Sequence, residues 1–191
     1  MRNHLLSQHF LRSPRLALML IGHSNIKKRD TVLEIGAGSG VITSALSKRC
    51  AKVVAIEPDA KTATLLRNNL AQRGIENVEV AEEDFLDYDL SRLPAGYKVF
   101  ANPPFHLSSK IVHKLIEDEN KPASFYLILQ KQFALKLIAT DRHYTSQLGY
   151  ELLKTYSTKI RYPMKPTDFT PPPAVPCVLF EAKEISTLTL G

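Results

Sequence analysis

Short apolar runs alternate along this chain with longer stretches of helical spacing. Residues 31–35 (TVLEI) form an apolar run ending in glycines, which predicts a buried strand. Residues 41–49 have helical spacing, and 52–56 (KVVAI) predict a second strand. Asp59 is placed to cap a helix reaching Gln72, with Gly74 positioned to end it. Residues 78–81 predict a third strand, 98–101 a fourth and 124–129 (SFYLIL) a fifth. Between the last two, Ser108 or Ser109 would cap a helix running to Glu117. Near the start, Ser13-Pro14 predicts a capped helix with proline in its first turn, continuing to Gly22. Past residue 155 the pattern changes to two strands, 158–162 and 175–182, joined by a proline-rich loop over 163–176.

Strands that are apolar on both faces and alternate with helices predict a parallel sheet covered on both sides. No repeat, low-complexity tract or linker interrupts the 191 residues, a length that suits one α/β domain with the N-terminal arm, residues 1–29, included. The apolar stretch over 16–21 falls far short of the roughly 20 residues a bilayer needs, and the basic N-terminus lacks a small-residue cleavage pattern. Cys50 and Cys177 lack metal-ligand spacing and are expected to be reduced thiols, so the reading is a cytoplasmic protein without a metal.

Charge divides unevenly. Residues 1–29 hold six Lys/Arg and no acid, and 131–165 hold seven against Asp141 and Glu151. The stretch between them, 30–130, is acidic, with fourteen Asp/Glu against eleven Lys/Arg. A basic surface built from both ends of the chain would attract a phosphate backbone. Arg12, Lys131, Lys136 and Lys154 are its candidate contacts, although such clusters are often only solvated faces.

The candidate chemistry lies at the strand ends. Gly36-Ala37-Gly38-Ser39-Gly40 follows the first strand, where glycines let a ligand approach the backbone. The spacing is GxGxG, and without a following GK[ST] it does not read as a phosphate cradle. Glu57 ends the second strand 21 residues after Gly36, the place from which an acid can bind a ribose diol. After the third strand, Asp84 could accept an adenine amino group while Phe85 covers the ring. Each of these alone has an ordinary reading as a turn or an exposed acid; three in succession point to a nucleoside-bearing ligand.

Asn102-Pro103-Pro104-Phe105 ends the fourth strand. Methyl transfer to an amino nitrogen conjugated with an aromatic ring requires that its delocalised lone pair be freed. Acceptors on its two N–H groups, the Asn102 side-chain oxygen and the Pro103 carbonyl, would favour that change. Pro104 stiffens the loop, and Phe105 offers a face on which a base can stack. The alternative is a proline turn capped by Asn. His9, in Gln8-His9-Phe10-Leu11, and Phe169, in Asp168-Phe169-Thr170-Pro171, carry no signal of their own.

Taken together, QHFL at 8–11, EIGAGSG at 34–40, Glu57, EDF at 83–85, ANPPF at 101–105 and FTPPPAV at 169–175 resemble the rRNA adenine N6-methyltransferase family. That family contains the macrolide-resistance Erm methylases and the small-subunit rRNA dimethyladenosine transferases. The resemblance runs from Ser7 to about Glu181. It implies a Rossmann-like seven-stranded sheet, S-adenosylmethionine as cofactor and ribosomal RNA as partner of a monomeric enzyme. It also implies that His9 and Leu11 contact the cofactor, that Gly36, Gly38 and Gly40 border its methionine end, and that Glu57 and Asp84 take its ribose and adenine. Asn102 would lie near the transferred methyl, with Phe105 and Phe169 holding the flipped target base between them.

His9 stands where Asn is more usual. The double proline after Asn102 occurs chiefly on the Erm side and leans the reading toward 23S rRNA and antibiotic resistance. The family usually carries a small helical C-terminal domain, whereas this sequence ends ten residues after Glu181. The expectation is therefore no separate RNA-binding domain and a larger role for the basic segments. Competing readings are small-subunit rRNA, DNA adenine or protein glutamine as substrate, and a non-catalytic RNA-binding factor on the same fold.

Overall fold

Two-sided burial of the central strands shapes the architecture. In chain order the elements are β1 (Phe10–Leu11), α1 (Pro14–Gly22), β2 (Thr31–Ile35), α2 (Val41–Ser47), β3 (Lys52–Ile56), α3 (Ala60–Gln72) and β4 (Val78–Ala81). They continue with β5 (Lys98–Ala101), α4 (Ser108–Glu117), β6 (Ser124–Gln130), α5 (Lys131–Lys136), α6 (Gln147–Leu153), β7 (Tyr156–Met164), β8 (Phe169–Thr170) and β9 (Cys177–Glu184). The computed structural model describes residues 9–139 and 144–185. Arg2, Ser7 and Gln8 near the start, and Asp141 and Arg142 in the second basic segment, lie outside the described residues.

Successive side chains on a strand point to opposite faces, so each central strand feeds two cores. Val32, Val53, Phe100 and Tyr126 pack with Leu20 of α1, Leu46 of α2 and Leu66 of α3. Their neighbours Leu33, Val54, Val99 and Phe125 pack on the other side with Leu115 of α4, Leu137 just beyond α5 and Leu152 of α6. Each such side chain contributes about 1.5–3 kcal/mol when fully buried. This is why these strands read as continuous apolar runs rather than alternating ones.

The sheet order is β4-β3-β2-β5-β6-β9-β7. Strands β4 through β6 are parallel, and β9 runs antiparallel between β6 and β7. The fold is thus α/β, with the seven-stranded sheet expected of a Rossmann-like methyltransferase. The order reverses at β2, from which β3 and β5 depart on opposite sides, and such a switch point opens a crevice at the carboxyl ends of the strands.

Several boundaries differ from the sequence expectation. The strand expected over 158–162 extends to Tyr156–Met164. Pro163 is tolerated there because β7 is an edge strand, and Arg161 is the extra residue of a bulge. β9 starts at Cys177 rather than at 175. α2 ends at Ser47 rather than at 49, and α5 and α6 fill a stretch for which the pattern gave no element. Ser108 lies inside α4, behind a 3-10 turn over Phe105–Leu107; Leu107 occupies the cap position, and Ser108 Oγ is buried without a hydrogen-bond partner among the described residues. By contrast Ser13 and Asp59 cap α1 and α3 through their side chains.

The loop between β7 and β9 is not merely proline-rich. It carries β8, which pairs antiparallel with β1, bringing Phe10 opposite Thr170 and Leu11 opposite Phe169. The Arg12 amide donates to the Asp168 carbonyl at 3.0 Å, and Arg12 Nε donates to Thr170 Oγ1 at 2.6 Å. The N-terminal arm is thereby fixed across the carboxyl edge of the sheet.

Candidate cofactor and target site

A cavity of about 380 Å³ opens at the switch point, within the roughly 300–1,000 Å³ range of small-molecule sites. Its walls are the residues that follow β2, β3, β4 and β5, and the arm roofs it with His9, Phe10 and Leu11. Gly36 and Ala37 donate to the Ile56 carbonyl at 2.9 and 3.1 Å, which folds the glycine loop back onto β3. Gly40 has φ +91°, and a Cβ there would lie 2.6 Å from Leu66 Cδ1, so glycine is required by both backbone and space. Phe10 packs over Gly38, where a Cβ would stand 3.4 Å from its ring.

Glu57, 8% exposed, fixes the wall beyond β3. Its Oε2 accepts the Gly38 amide at 2.9 Å and its Oε1 the Asp59 amide at 3.1 Å. A carboxylate has about four lone-pair positions, so two remain for hydroxyl donors in the cavity. Asp84 is exposed at the rim, where its Oδ1 accepts the Leu86 amide at 2.9 Å. Phe85 beside it is buried and lines the same wall.

Asn102, Pro103 and Pro104 form the wall beyond β5. Asn102 Nδ2 donates to the His9 carbonyl at 2.6 Å. That bond commits the amide nitrogen and leaves Oδ1 as the end able to accept. His9 Nδ1 lies 2.8 Å from the Pro171 carbonyl, and since a carbonyl only accepts, Nδ1 carries the proton.

The His9 ring is in contact with both predicted base-holding rings. It lies 5.2 Å from Phe105 at a tilt of 30°, and 6.5 Å from Phe169, which meets it nearly edge-on. Phe105 is half-buried and faces a second recess lined by His9, His106, Gln130 and residues 173–175. Phe169 is fully buried in the core beneath the arm. His9 borders both recesses, so the cavity at the switch point and the second recess meet at His9, next to Asn102.

Sequence reasoning passed over Glu34, which lines the same cavity at 1% exposure. Burial pushes its carboxyl up to about 8, against a lowering pull from Thr43 and a further push from the Glu57 carboxylate. Its signal was visible: a single acid in the otherwise apolar run TVLEI. Asp59, the α3 cap, also lines the cavity. Among the described residues four acids therefore face this space, Glu34, Glu57, Asp59 and Asp84, and none of those lining it is Lys or Arg. Such a wall disfavours a pyrophosphate-bearing dinucleotide and suits a ligand carrying positive charge.

The basic candidates are distributed less evenly than their sequence positions imply. Lys131 and Lys136 are exposed on α5, and the Lys131 amide donates to the Pro176 carbonyl, next in sequence to the 173–175 wall of the second recess. Lys154 is exposed but paired with Glu151 at 2.6 Å. Arg12 holds Thr170 with Nε. Among the described residues no group of His, Cys, Asp and Glu is arranged to hold a metal, and no helix is long and apolar enough to cross a membrane.

Comparison with known proteins agrees with this geometry. A family model described as "Ribosomal RNA adenine dimethylase" matches residues 2–188. A protein of Methanosphaera stadtmanae named "Probable ribosomal RNA small subunit methyltransferase A" is 32% identical over 176 residues, covering 92% of this chain and 63% of that protein. The chain thus spans less than two thirds of that relative's length. A solved dimethyladenosine transferase from Plasmodium falciparum superposes with a TM-score of 0.82 at 28% identity, over 93% of this chain and 64% of that one. The structure of the 23S rRNA methyltransferase ErmE superposes with a TM-score of 0.83 at 24% identity, over 93% of this chain and 70% of that one, and shows the common fold. With a family model matched over nearly its whole length, this chain belongs to the ribosomal RNA adenine dimethylase family.

Proposed function

We propose that this protein transfers a methyl group from S-adenosylmethionine to the exocyclic amino nitrogen of an adenine in ribosomal RNA. The observation that carries the reading is the junction at His9, whose carbonyl holds Asn102, where the acid-walled cavity meets the recess bordered by Phe105. S-adenosylmethionine supplies a methyl group made electrophilic by its sulfonium. The residues present fit such a molecule: the acids match its positive charge, Glu57 has lone pairs left for a ribose diol, and Asp84 with Phe85 suits an adenine.

The chain's own part is to bind and orient. Asn102, turned by the His9 carbonyl, offers Oδ1 to one N–H of the target amino group, and the Pro103 carbonyl lies next in sequence to take the other. Two acceptors draw the nitrogen toward a geometry in which its lone pair faces the methyl. The Phe105 ring supplies a stacking face for a base taken out of its own stack. Such a site has no need of a strong general base, because the nitrogen becomes acidic as the new bond forms.

Lys131 and Lys136 on α5, beside the recess, and Arg12 on the arm would meet the phosphates around the target. The relatives' names favour small-subunit RNA. A second reading, large-subunit RNA with a role in antibiotic resistance, rests on the Pro103-Pro104 pair. Transfer of a radiolabelled methyl to small-subunit rRNA, large-subunit rRNA, DNA and protein tests the proposal. Label in adenine of one rRNA is expected; label only in DNA or protein, or in none of the four, would overturn it.

A further inference from the structure

The basic residues of the N-terminal segment do not share one face of the protein. Arg12 lies on the arm at the carboxyl edge of the sheet, whereas Lys27, Lys28 and Arg29 lie on the turn before β2, at the amino edge. Parallel pairing sets the starts of β2 and β3 side by side, with Thr31 opposite Lys52. The turn before β3 therefore adjoins the turn before β2 and brings Lys48 and Arg49 with it. Lys28 Nζ donates to the Lys48 carbonyl at 2.6 Å, and the Ala51 amide donates to the Asp30 carbonyl at 3.0 Å. All five cations are exposed.

Like charges on two adjoining turns repel one another unless acids offset them. None of the five is in an ion pair with a described residue. Asp30, the acid of the same turn, is directed inward. Its Oδ2 accepts the Lys27 amide and the ammonium of buried Lys98, both at 2.6 Å, and its side chain is 12% exposed. Glu76 is exposed on the turn that Asn77 ties to residues 47–51, one acid against five bases. The acids at 117–119 follow α4, which packs in the opposite core from α1 and α2. Such an uncompensated surface fits a polyanion. Residues 23–30 and 47–52 expose no large apolar side chain, which a membrane-binding surface would need.

We propose that Lys27, Lys28, Arg29, Lys48 and Arg49 form a second RNA-binding surface, which grips the phosphate backbone of the folded RNA away from the target adenine. This rests on the reading that the substrate is ribosomal RNA. β2 alone sets about 13 Å between Thr31 and Ile35, at roughly 3.3 Å per residue, and the turn and the glycine loop add to it. A nucleotide seated beside Asn102 leaves its neighbours near the arm and α5. Phosphates at the amino edge then belong to a part of the RNA that reaches round the sheet through its own fold. The surface thereby selects a long, folded RNA over a short single strand carrying the same adenine.

Filter binding of full-length small-subunit and large-subunit rRNA over a range of salt reads the surface directly. Lys27→Gln, Lys28→Gln and Arg29→Gln together should weaken the tighter-bound of the two by about tenfold or more. The log–log salt slope should fall by about 2, at roughly 0.7–0.9 per lost phosphate contact. A short oligoadenylate, which reaches the recess but not the opposite edge, should bind variant and wild type alike. S-adenosylhomocysteine affinity should be unchanged, and in methyl transfer KM for rRNA should rise while kcat holds. Lys48→Gln with Arg49→Gln should lower the slope by about 1.5. Lys121→Gln with Lys183→Gln removes the same charge from the β6 and β9 end of this edge and should lower it far less.

The inference is overturned if the triple variant keeps the wild-type affinity and slope, if the oligoadenylate weakens as much, or if the Lys121 and Lys183 pair matches the Lys48 and Arg49 pair. Loss of binding to phosphatidylglycerol vesicles with rRNA binding intact would assign the surface to a membrane and overturn it too. Should the triple variant not fold, the two pairs decide the matter alone. Methyl transfer to rRNA with binding untouched by these substitutions would sink this inference and spare the proposed function; the expected binding changes without transfer to any rRNA would do the reverse.

Discussion

Replacing Glu57 by Gln changes one atom and separates two roles that the structure assigns to the same carboxylate. In the empty protein its two oxygens hold the Gly38 and Asp59 amides at 2.9 and 3.1 Å. Glutamine can accept from one of them and presents an NH₂ group to the other. The loss is one buried charge-assisted hydrogen bond, about 1.5–3 kcal/mol. For a chain of this size that should lower Tm by about 3–12 °C in thermal denaturation.

The same substitution removes one of the lone-pair positions left for a ribose diol. A second loss of about 1.5–3 kcal/mol there corresponds to roughly ten- to hundredfold weaker binding of S-adenosylhomocysteine in calorimetry. Glu57→Ala should be worse on both measures. The two readouts fail separately. A lowered Tm with unchanged affinity would make Glu57 a strut of the glycine loop and place the ribose elsewhere. An unchanged Tm would refute the two backbone hydrogen bonds themselves.

Asn102→Ala should abolish single-turnover methyl transfer while preserving the fold and RNA affinity; Phe105→Ala should retain a residue of activity, because stacking contributes only about 1–3 kcal/mol, and Phe105→Tyr should be close to neutral. An active Asn102→Ala protein would refute the mechanism. Gly40→Ala should cost about 2–5 kcal/mol, from a left-handed backbone and the clash with buried Leu66, whereas Gly36→Ala, at φ +73° with open space around it, should cost only the backbone share of about 1–2 kcal/mol; equal Tm values for the two would contradict this. Lys131→Gln and Lys136→Gln should each flatten the log–log salt dependence of RNA binding by about 0.7 for a lost phosphate contact, and Lys154→Gln should do less because Glu151 already holds that ammonium; slopes unchanged from wild type in the first two would remove α5 from the interface.

The strands and helices between Thr31 and Glu117 were legible in the sequence because each is specified locally. β2, β3, β4 and β5 are short apolar runs with turn residues at their ends, and Ser13 and Asp59 announce their helices through side chains that reach the next turn. The glycine loop, Glu57, Asp84 and Asn102 were legible for a related reason. In a parallel sheet every strand's carboxyl end opens on the same crevice, so position in the strand order already gives position in space.

What required tertiary structure is whatever depends on residues distant in sequence. β1 and β8 have two residues each, too few to show a period, and exist because each pairs with the other. The contact of His9 with Phe105 and Phe169 joins three separate segments. Ser108 looked like a cap until the 3-10 turn before it moved it inside α4. Lys154 looked free to meet a phosphate until Glu151 was found on the same helical face. Glu34 was visible as one acid in an apolar run, but the state of its carboxyl is a property of the packing around it. Only when α2 and the neighbouring strands exclude water from the run TVLEI does ionisation become costly enough to keep that proton in place.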